Sequence, residues 1–213
     1  MTQLKHQKLF FYRQDMRAIR RFSIAVLAAF VVFAEVHLNS QGSLRGTAQP
    51  LAQVTAFENL RLKALDGSVM ETADFSDYDV IAVDVWATWC FHCVQEMPAM
   101  ASFSDRLPEL FPDRKVLYIG ICTDLVKDDG TIDQDLLKTA EQISAEAGVH
   151  YPQLIADQQF NDAFTSLYVT GYPTIFYLDS AGRIIHSTGG LSETGLSLAI
   201  SNLLEMEQER KDS

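Results

Sequence analysis

The chain has 213 residues, 47% hydrophobic and 21% charged. This ordinary globular composition excludes a disordered, collagen-like or polytopic membrane protein. The net charge of −11 argues against a nucleic-acid partner, because an acidic body repels phosphate backbones, and three cysteines are too few for a disulfide-knit scaffold and point instead to local chemistry.

Positive charge gathers at the start of the chain, where Lys5, Lys8, Arg13, Arg17, Arg20 and Arg21 face the lone Asp15. An uncharged apolar run from Phe22 to Ala34 follows, closed by Glu35. A basic flank and a short apolar run are the layout of a secretory signal or signal anchor. The run falls short of the roughly 20 residues of a full bilayer span, yet the basic leader is long for a cleaved signal. Residues 1–37 are therefore read as a signal peptide or a signal anchor, with residues 22–36 as the membrane segment if it is retained. In both cases the basic end stays in the cytoplasm and the body is exported, to the periplasm or another extracytoplasmic compartment. Residues 38–53 are polar, with Gly, Ser and Pro, and read as a linker. A single domain over 54–208 and a short tail over 209–213 complete the chain, and the single-domain pattern makes a monomer the default.

Within the domain, Phe57–Leu65 and Ser68–Glu71 flank Asp66-Gly67 and predict a hairpin. Val80–Trp86 (VIAVDVW) is a nearly unbroken apolar run, as expected of a strand buried on both faces. A helix is predicted from about Cys90 to Leu107, and Val116–Cys122 (VLYIGIC) predicts another buried strand. Asp133 can cap a helix whose apolar face is Leu136, Leu137, Ala140, Ile143 and Ala147, ended by Gly148. Gln153–Ala156 reads as a short strand, and Phe160, Phe164, Leu167 and Tyr168 mark a further helical face. Thr174–Leu178 and Arg183–Ser187 predict a hairpin around Asp179–Gly182. Ser192 can cap a last helix with Leu196, Ala199, Ile200 and Leu203 on one face. Strands alternating with helices indicate an α/β fold, and the closing hairpin makes its sheet mixed.

Chemistry concentrates in Trp86-Ala-Thr-Trp-Cys90-Phe-His-Cys93, where a buried strand ends and a helix begins. Cys90 falls at the helix N-terminus, whose free N–H groups and macrodipole favour an anion. The thiolate is the reactive form of cysteine, so this position activates Cys90. Cys93 lies one helical turn on, a spacing at which the two sulfurs can close a disulfide. His92, if protonated, would stabilise the Cys90 thiolate further. Cys90 is the expected attacking sulfur and Cys93 the resolving one. A zinc site would need two more ligands at similar spacing, and Cys122, in a strand of core character, reads as a buried small hydrophobe. Neither a metal nor a cofactor is expected. Asp84 interrupts an apolar run, where an ionised carboxylate is expensive; burial should raise its pKa and make it a general base near neutrality.

The stretch VDVWATWCFHC resembles the active-site signature of thioredoxins. Glu96-Met97-Pro98, Gly171-Tyr-Pro173-Thr174, Leu178-Asp179, Gly182-Arg-Ile and Gly189-Gly190 extend the resemblance to TlpA/ResA-like exported thiol–disulfide oxidoreductases, over about residues 54–206. It implies a thioredoxin-like fold with an extra N-terminal β-hairpin and an inserted helix–strand before a cis-proline. It further implies that Pro173 is that cis-proline and packs against the disulfide, that the Tyr172 backbone pairs with a substrate chain, that Asp84 relays protons to Cys93, and that Glu96 assists the cysteine pair. Trp86 and Trp89 match the two tryptophans beside the site, Trp86 as packing and Trp89 as substrate surface. The partners implied are disulfide-containing protein substrates and a membrane or periplasmic thiol reductant.

Two departures from the family pattern matter. Phe91-His92 stands where this branch usually carries a proline, and Tyr172 is bulkier than the usual residue before the cis-proline. A histidine at position 92 is similar to the pattern of oxidising DsbA-like proteins, in which a low thiolate pKa makes the disulfide a strong oxidant. The expected function is the reduction of disulfides in exported proteins. The alternatives are a DsbA-like oxidase, a peroxiredoxin-type peroxidase, which lacks its expected flanking residues here, and a non-catalytic module holding a soft cuprous ion on Cys90, Cys93 and His92.

Overall fold

The computed structural model describes residues 57–167, 171–190 and 192–212. The signal or anchor segment, the linker and Tyr168 lie outside the described residues. No helix among those described is long and apolar enough to cross a membrane.

A two-stranded antiparallel hairpin opens the described chain, with β1 at Arg61–Lys63 and β2 at Val69–Glu71. Its turn forms where Asp66-Gly67 predicts one: Gly67 takes a left-handed φ of 86°, and Asp66 Oδ1 accepts from the Ser68 N–H and hydroxyl. The strands are shorter than the sequence suggests, because Phe57 and Leu60 spend their apolar surface in the core ahead of β1. A 3-10 helix over Thr72–Asp77 leads into β3, Val80–Trp86, buried along its whole length.

Helix α1 (Phe91–Asp105) follows β3, then a short α2 (Leu107–Leu110) and β4 (Val116–Cys122). The helix predicted from about Cys90 to Leu107 is α1, which ends at Arg106, and α2 is a short addition after it. α1 runs through Pro98, which removes one internal hydrogen bond. Helix α3 (Gln134–Glu146) is capped by Asp133, whose carboxylate accepts from the N–H groups of Asp135 and Leu136. Then come β5 (Gln153–Ile155), α4 (Gln158–Ser166), β6 (Thr174–Leu178), β7 (Ile184–Gly189) and α5 (Glu193–Asp212).

The main sheet has the order β5-β4-β3-β6-β7. β3 pairs in parallel with β4, and β4 with β5, whereas β6 runs antiparallel to β3 and β7 to β6. This is the expected mixed α/β sheet of the thioredoxin-like fold, with α3 and β5 inserted before the proline at 173 and the hairpin added in front. Alternation along β3 sorts the core. Ile81, Val83 and Val85 pack with Phe57, Phe75, Phe160, Phe164 and Phe176 on one face. Val80 and Ala82 pack with Met100, Phe103, Leu196 and Ile200 on the other. Burying apolar surface on both sides of a central strand, at about 25 cal/mol per Å², holds β3 rigid. The chemical segment begins where that strand ends.

Candidate active site

Trp86, the last residue of β3, is fully buried among Cys90, Cys93, Met97 and Cys122. The chain then turns through Ala87, Thr88 and Trp89, and Cys90 becomes the N-cap of α1. Cys90 and Cys93 form a disulfide with their Cα atoms 5.3 Å apart, and Cys90 Sγ accepts from the Cys93 N–H at 3.2 Å. The N–H groups of a helix's first turn have no partners within the helix, so the sulfur of residue 90 sits where backbone N–H groups stabilise negative charge. Both cysteines are buried, but the residues beside Cys90 are not: Trp89 is 68% exposed and Phe91 67%. His92 is also exposed, with its ring edge-on to that of Phe91.

A hydrogen-bond network from the end of β4 pins the turn before Cys90. Asp124 accepts from the Thr88 N–H at 3.0 Å and from its hydroxyl at 2.5 Å, and the Cys122 thiol donates to the same carboxylate at 3.1 Å. Thr123 donates from its N–H and its hydroxyl to the Trp86 carbonyl, and its own carbonyl accepts from Asn161 Nδ2 in α4. The Thr123 hydroxyl also meets the Tyr172 hydroxyl at 2.9 Å. Tyr172 stands edge-on to Trp89, ring centres 5.4 Å apart, and the Tyr172–Pro173 peptide is cis. Gly190 lies against this proline. A Cβ there would come within 2.7 Å of Pro173 Cγ and 3.0 Å of Glu96 Oε2. Pro173 and Glu96 therefore approach one spot in front of α5 that only a glycine leaves open.

Asp84 is buried on β3, on the face that carries Val80, Ala82 and Trp86. Burial pushes its carboxyl up to about 7, the nearby Glu96 charge adds to the rise, and the Tyr118 hydroxyl opposes it. A carboxyl poised there can take up or release a proton near neutrality. Cys122 is buried and free; burial and the Asp124 charge push its thiol far up, which makes it inert as a nucleophile.

Of the residues singled out from the sequence, Cys90 and Cys93 are bonded, Asp84 and Glu96 interact electrostatically, Trp89 and Tyr172 share a ring contact, and Pro173 and Glu96 meet at Gly190. His92 projects from the surface beside Phe91. Among the described residues, no group of three or more His, Cys, Asp and Glu side chains could hold a metal ion. Thr88, Thr123, Asp124, Asn161 and Gln153 were not singled out. The one signal for them is position: Thr123 and Asp124 directly follow β4, which pairs with the strand leading to Cys90.

A thioredoxin-like sheet with a C-x-x-C disulfide at the start of the helix after its central strand defines a class, the thioredoxin-like thiol–disulfide oxidoreductases. The chain belongs to the AhpC/TSA family, whose model matches residues 54–187. It is 30% identical to the thiol:disulfide interchange protein HelX of Rhodobacter capsulatus, over 68% of this chain and 73% of that protein. It is 29% identical to the thioredoxin-like protein YneN of Bacillus subtilis, over 58% of this chain and 63% of that protein, so the match spans less than two thirds of YneN. Among solved structures it resembles a thiol:disulfide interchange protein of the thioredoxin family from Chlorobium tepidum, with TM-score 0.54 and 22% identity over 68% of this chain and 93% of that one. It also resembles MTB dsbF, with TM-score 0.51 and 20% identity over 71% of this chain and 99% of that one.

Proposed function

We propose that this protein is an exported thiol–disulfide oxidoreductase that reduces disulfides in extracytoplasmic proteins through the Cys90–Cys93 couple. The observation that carries the reading is the Cys90–Cys93 disulfide at the start of α1, just after a strand that carries a buried carboxyl able to exchange a proton near neutral pH. The basic, then apolar, start of the chain supports export, with the segment either cleaved or kept as an anchor, a linker over 38–53 and the working domain over 54–208.

In the reduced protein the Cys90 thiolate attacks one sulfur of the client disulfide. A bond forms between Cys90 Sγ and that sulfur, and the client's other sulfur leaves as a thiolate that takes up a proton. Asp84 then accepts the Cys93 thiol proton. The Cys93 thiolate attacks Cys90 Sγ, breaks the mixed disulfide and releases the second client sulfur, which is protonated in turn. The client gains two electrons and two protons; the Cys90–Cys93 pair gives up both electrons and the Cys93 proton, which leaves through Asp84, and the second proton, already shed when Cys90 ionised, comes from solvent. A thiol reductant in the membrane or periplasm restores the dithiol. Glu96 shares its charge with Asp84 and thereby holds the proton near the pair. Trp89, Tyr172 and Pro173 form the surface that receives the client, the Tyr172 backbone pairing with an extended client chain. His92 tunes the couple by favouring the Cys90 thiolate when protonated.

The same histidine motivates a second reading, a DsbA-like oxidase. The reduction potential of the couple separates the two: a reductant lies near the roughly −270 mV of thioredoxin, an oxidant near −120 mV. The primary test is reduction of insulin disulfides by the dithiol-reduced protein. Activity that disappears in Cys90→Ala supports the proposal. An inactive wild type, or an active Cys90→Ala variant, overturns it.

A further inference from the structure

Asp84, Gly120 and Gln153 stand side by side on three adjacent strands: Asp84 is in register with Gly120, and Gly120 with Gln153. Residues paired in register point to the same face of a sheet. Gly120 has no side chain, and the Gln153 amide occupies the space a Cβ would need there. The amide thus lies over the middle strand, one strand spacing of about 4.8 Å from the Asp84 row.

The orientation of this amide follows from Trp86. Indole Nε1 is a donor only, and it donates to Gln153 Oε1 at 2.8 Å. That leaves the Gln153 Nε2 with two N–H groups, buried and without a completed hydrogen bond. Asp84 Oδ1 is buried with an equally unfilled acceptor. A buried donor and a buried acceptor each cost free energy while unmatched, and these two belong to residues on one sheet face on either side of Gly120, with the Tyr118 hydroxyl, likewise without a completed hydrogen bond, also at Asp84. The Tyr151 hydroxyl is also near the amide, and Nε2 has an N–H for each. The other groups acting on Asp84 are Glu96 from α1 and Tyr118 from β4. Tyr151 before β5 and Tyr177 on β6 feel its charge in return.

We propose that Gln153 is a positioning residue for the reaction: its Nε2–H donates to the Asp84 carboxylate, directly or through one water, while its Oε1 holds Trp86, so that a single side chain ties the proton acceptor to the root of the Cys90 loop. The role in exchange rests on the function proposed above; the contact itself does not. When Cys93 passes its proton to Asp84, the Gln153 N–H group loses a charged acceptor. When Asp84 is ionised, the donor stabilises it. Gln153 therefore lowers the pH at which Asp84 becomes a competent base.

The test is an NMR titration of the oxidised full-length protein, which requires no catalytic activity. In wild type the Gln153 side-chain amide protons should shift with the same midpoint as the Asp84 carboxyl carbon. In Gln153→Met, similar in volume but without donor or acceptor, the Asp84 midpoint should rise by about one pH unit, the scale of one hydrogen bond to a charged group. The acidic limb of insulin reduction should move with it. Gln153→Asn, too short to cross Gly120, should behave like Gln153→Met. An amide that ignores the Asp84 titration in wild type, or a midpoint unchanged in both variants, overturns the proposal even if the protein reduces insulin. Matching amide and carboxyl midpoints in a protein without exchange activity uphold the contact and sink only the function proposed above. Should either variant fail to fold, the wild-type amide titration alone decides.

Discussion

The hydroxyls of Thr123 and Tyr172 lie 2.9 Å apart and join the end of β4 to the loop that carries Pro173. Thr123 also donates to the Trp86 carbonyl, so one threonine links the root of the Cys90 turn to the other side of the proposed client surface. Thr123→Val keeps the shape of the side chain and removes this link. A neutral hydrogen bond contributes about 1 kcal/mol, or roughly fivefold. The KM for a disulfide-bearing protein should rise by about that factor, with little change in the rate of mixed-disulfide resolution. Tyr172→Phe removes only the shared contact and should cost no more than Thr123→Val, which also loses the hydroxyl's bond to the Trp86 carbonyl; the double variant should cost no more than Thr123→Val alone. Steady-state kinetics on the four proteins check this; additive losses would show that the two hydroxyls act apart.

Asp84 carries a prediction with a defined sign. Its carboxyl titrates at about 7 in the folded protein against an ordinary value of 3.8. The folded state therefore holds a proton that the unfolded chain releases, and stability falls as pH rises from about 4 through 7. Asp84→Asn removes that dependence. The variant should gain stability over wild type across this window, with the largest difference above pH 7, as read by urea unfolding of the oxidised proteins. Its chemistry should suffer: without the base, resolution by Cys93 at neutral pH should slow by about 100-fold or more, and single-turnover gels should show the mixed disulfide accumulating.

Asp84 was legible in the sequence because an ionisable residue inside VIAVDVW breaks a pattern, and the cysteine pair because a C-x-x-C at a strand-to-helix boundary is a local signal. The order of strands and helices was legible for the same reason, since each has its own period or cap. Gln153 and Asp124 were not. Gln153 matters because register places it beside Gly120 and reaches Trp86 across 67 residues of sequence, and nothing local in Pro152-Gln153-Leu154 marks it. Asp124 reads as an ordinary loop carboxylate until pairing of β3 with β4 brings it under Thr88. Strand lengths were overestimated at β1, because an apolar residue looks the same in a strand and in the coil that packs beside it.

Asp124 holds the Thr88 N–H and hydroxyl and accepts from the Cys122 thiol. Asp124→Ala leaves these donors unmatched in a half-buried site, and a cost of about 3 kcal/mol follows from hydrogen bonds to a charged group. Asp124→Asn retains an acceptor and should lose less. Denaturant unfolding measures both. Neither change should make Cys122 reactive toward a thiol reagent in the folded protein, since its burial in the core cluster with Trp86 and Leu125 is unchanged.

Gly190 offers the sharpest steric test of the client surface. A methyl group there would press on the Pro173 ring and on the Glu96 carboxylate together. The ring is held by its own backbone and cannot swing away as a flexible side chain would, whereas Glu96 can rotate. Gly190→Ala should therefore displace the Pro173 loop and push Glu96 off its present position, at a cost of about 1–3 kcal/mol, the usual range for overpacking. Its kinetic signature should differ from that of Glu96→Gln. The glutamate variant removes a charge acting on Asp84 and should lower the pH of the acidic limb of exchange, with KM unchanged. The alanine variant moves the surface proposed to receive the client, and KM should rise severalfold. Equal effects of the two variants on KM would show that Glu96, rather than Pro173, is the neighbour for which the glycine makes room.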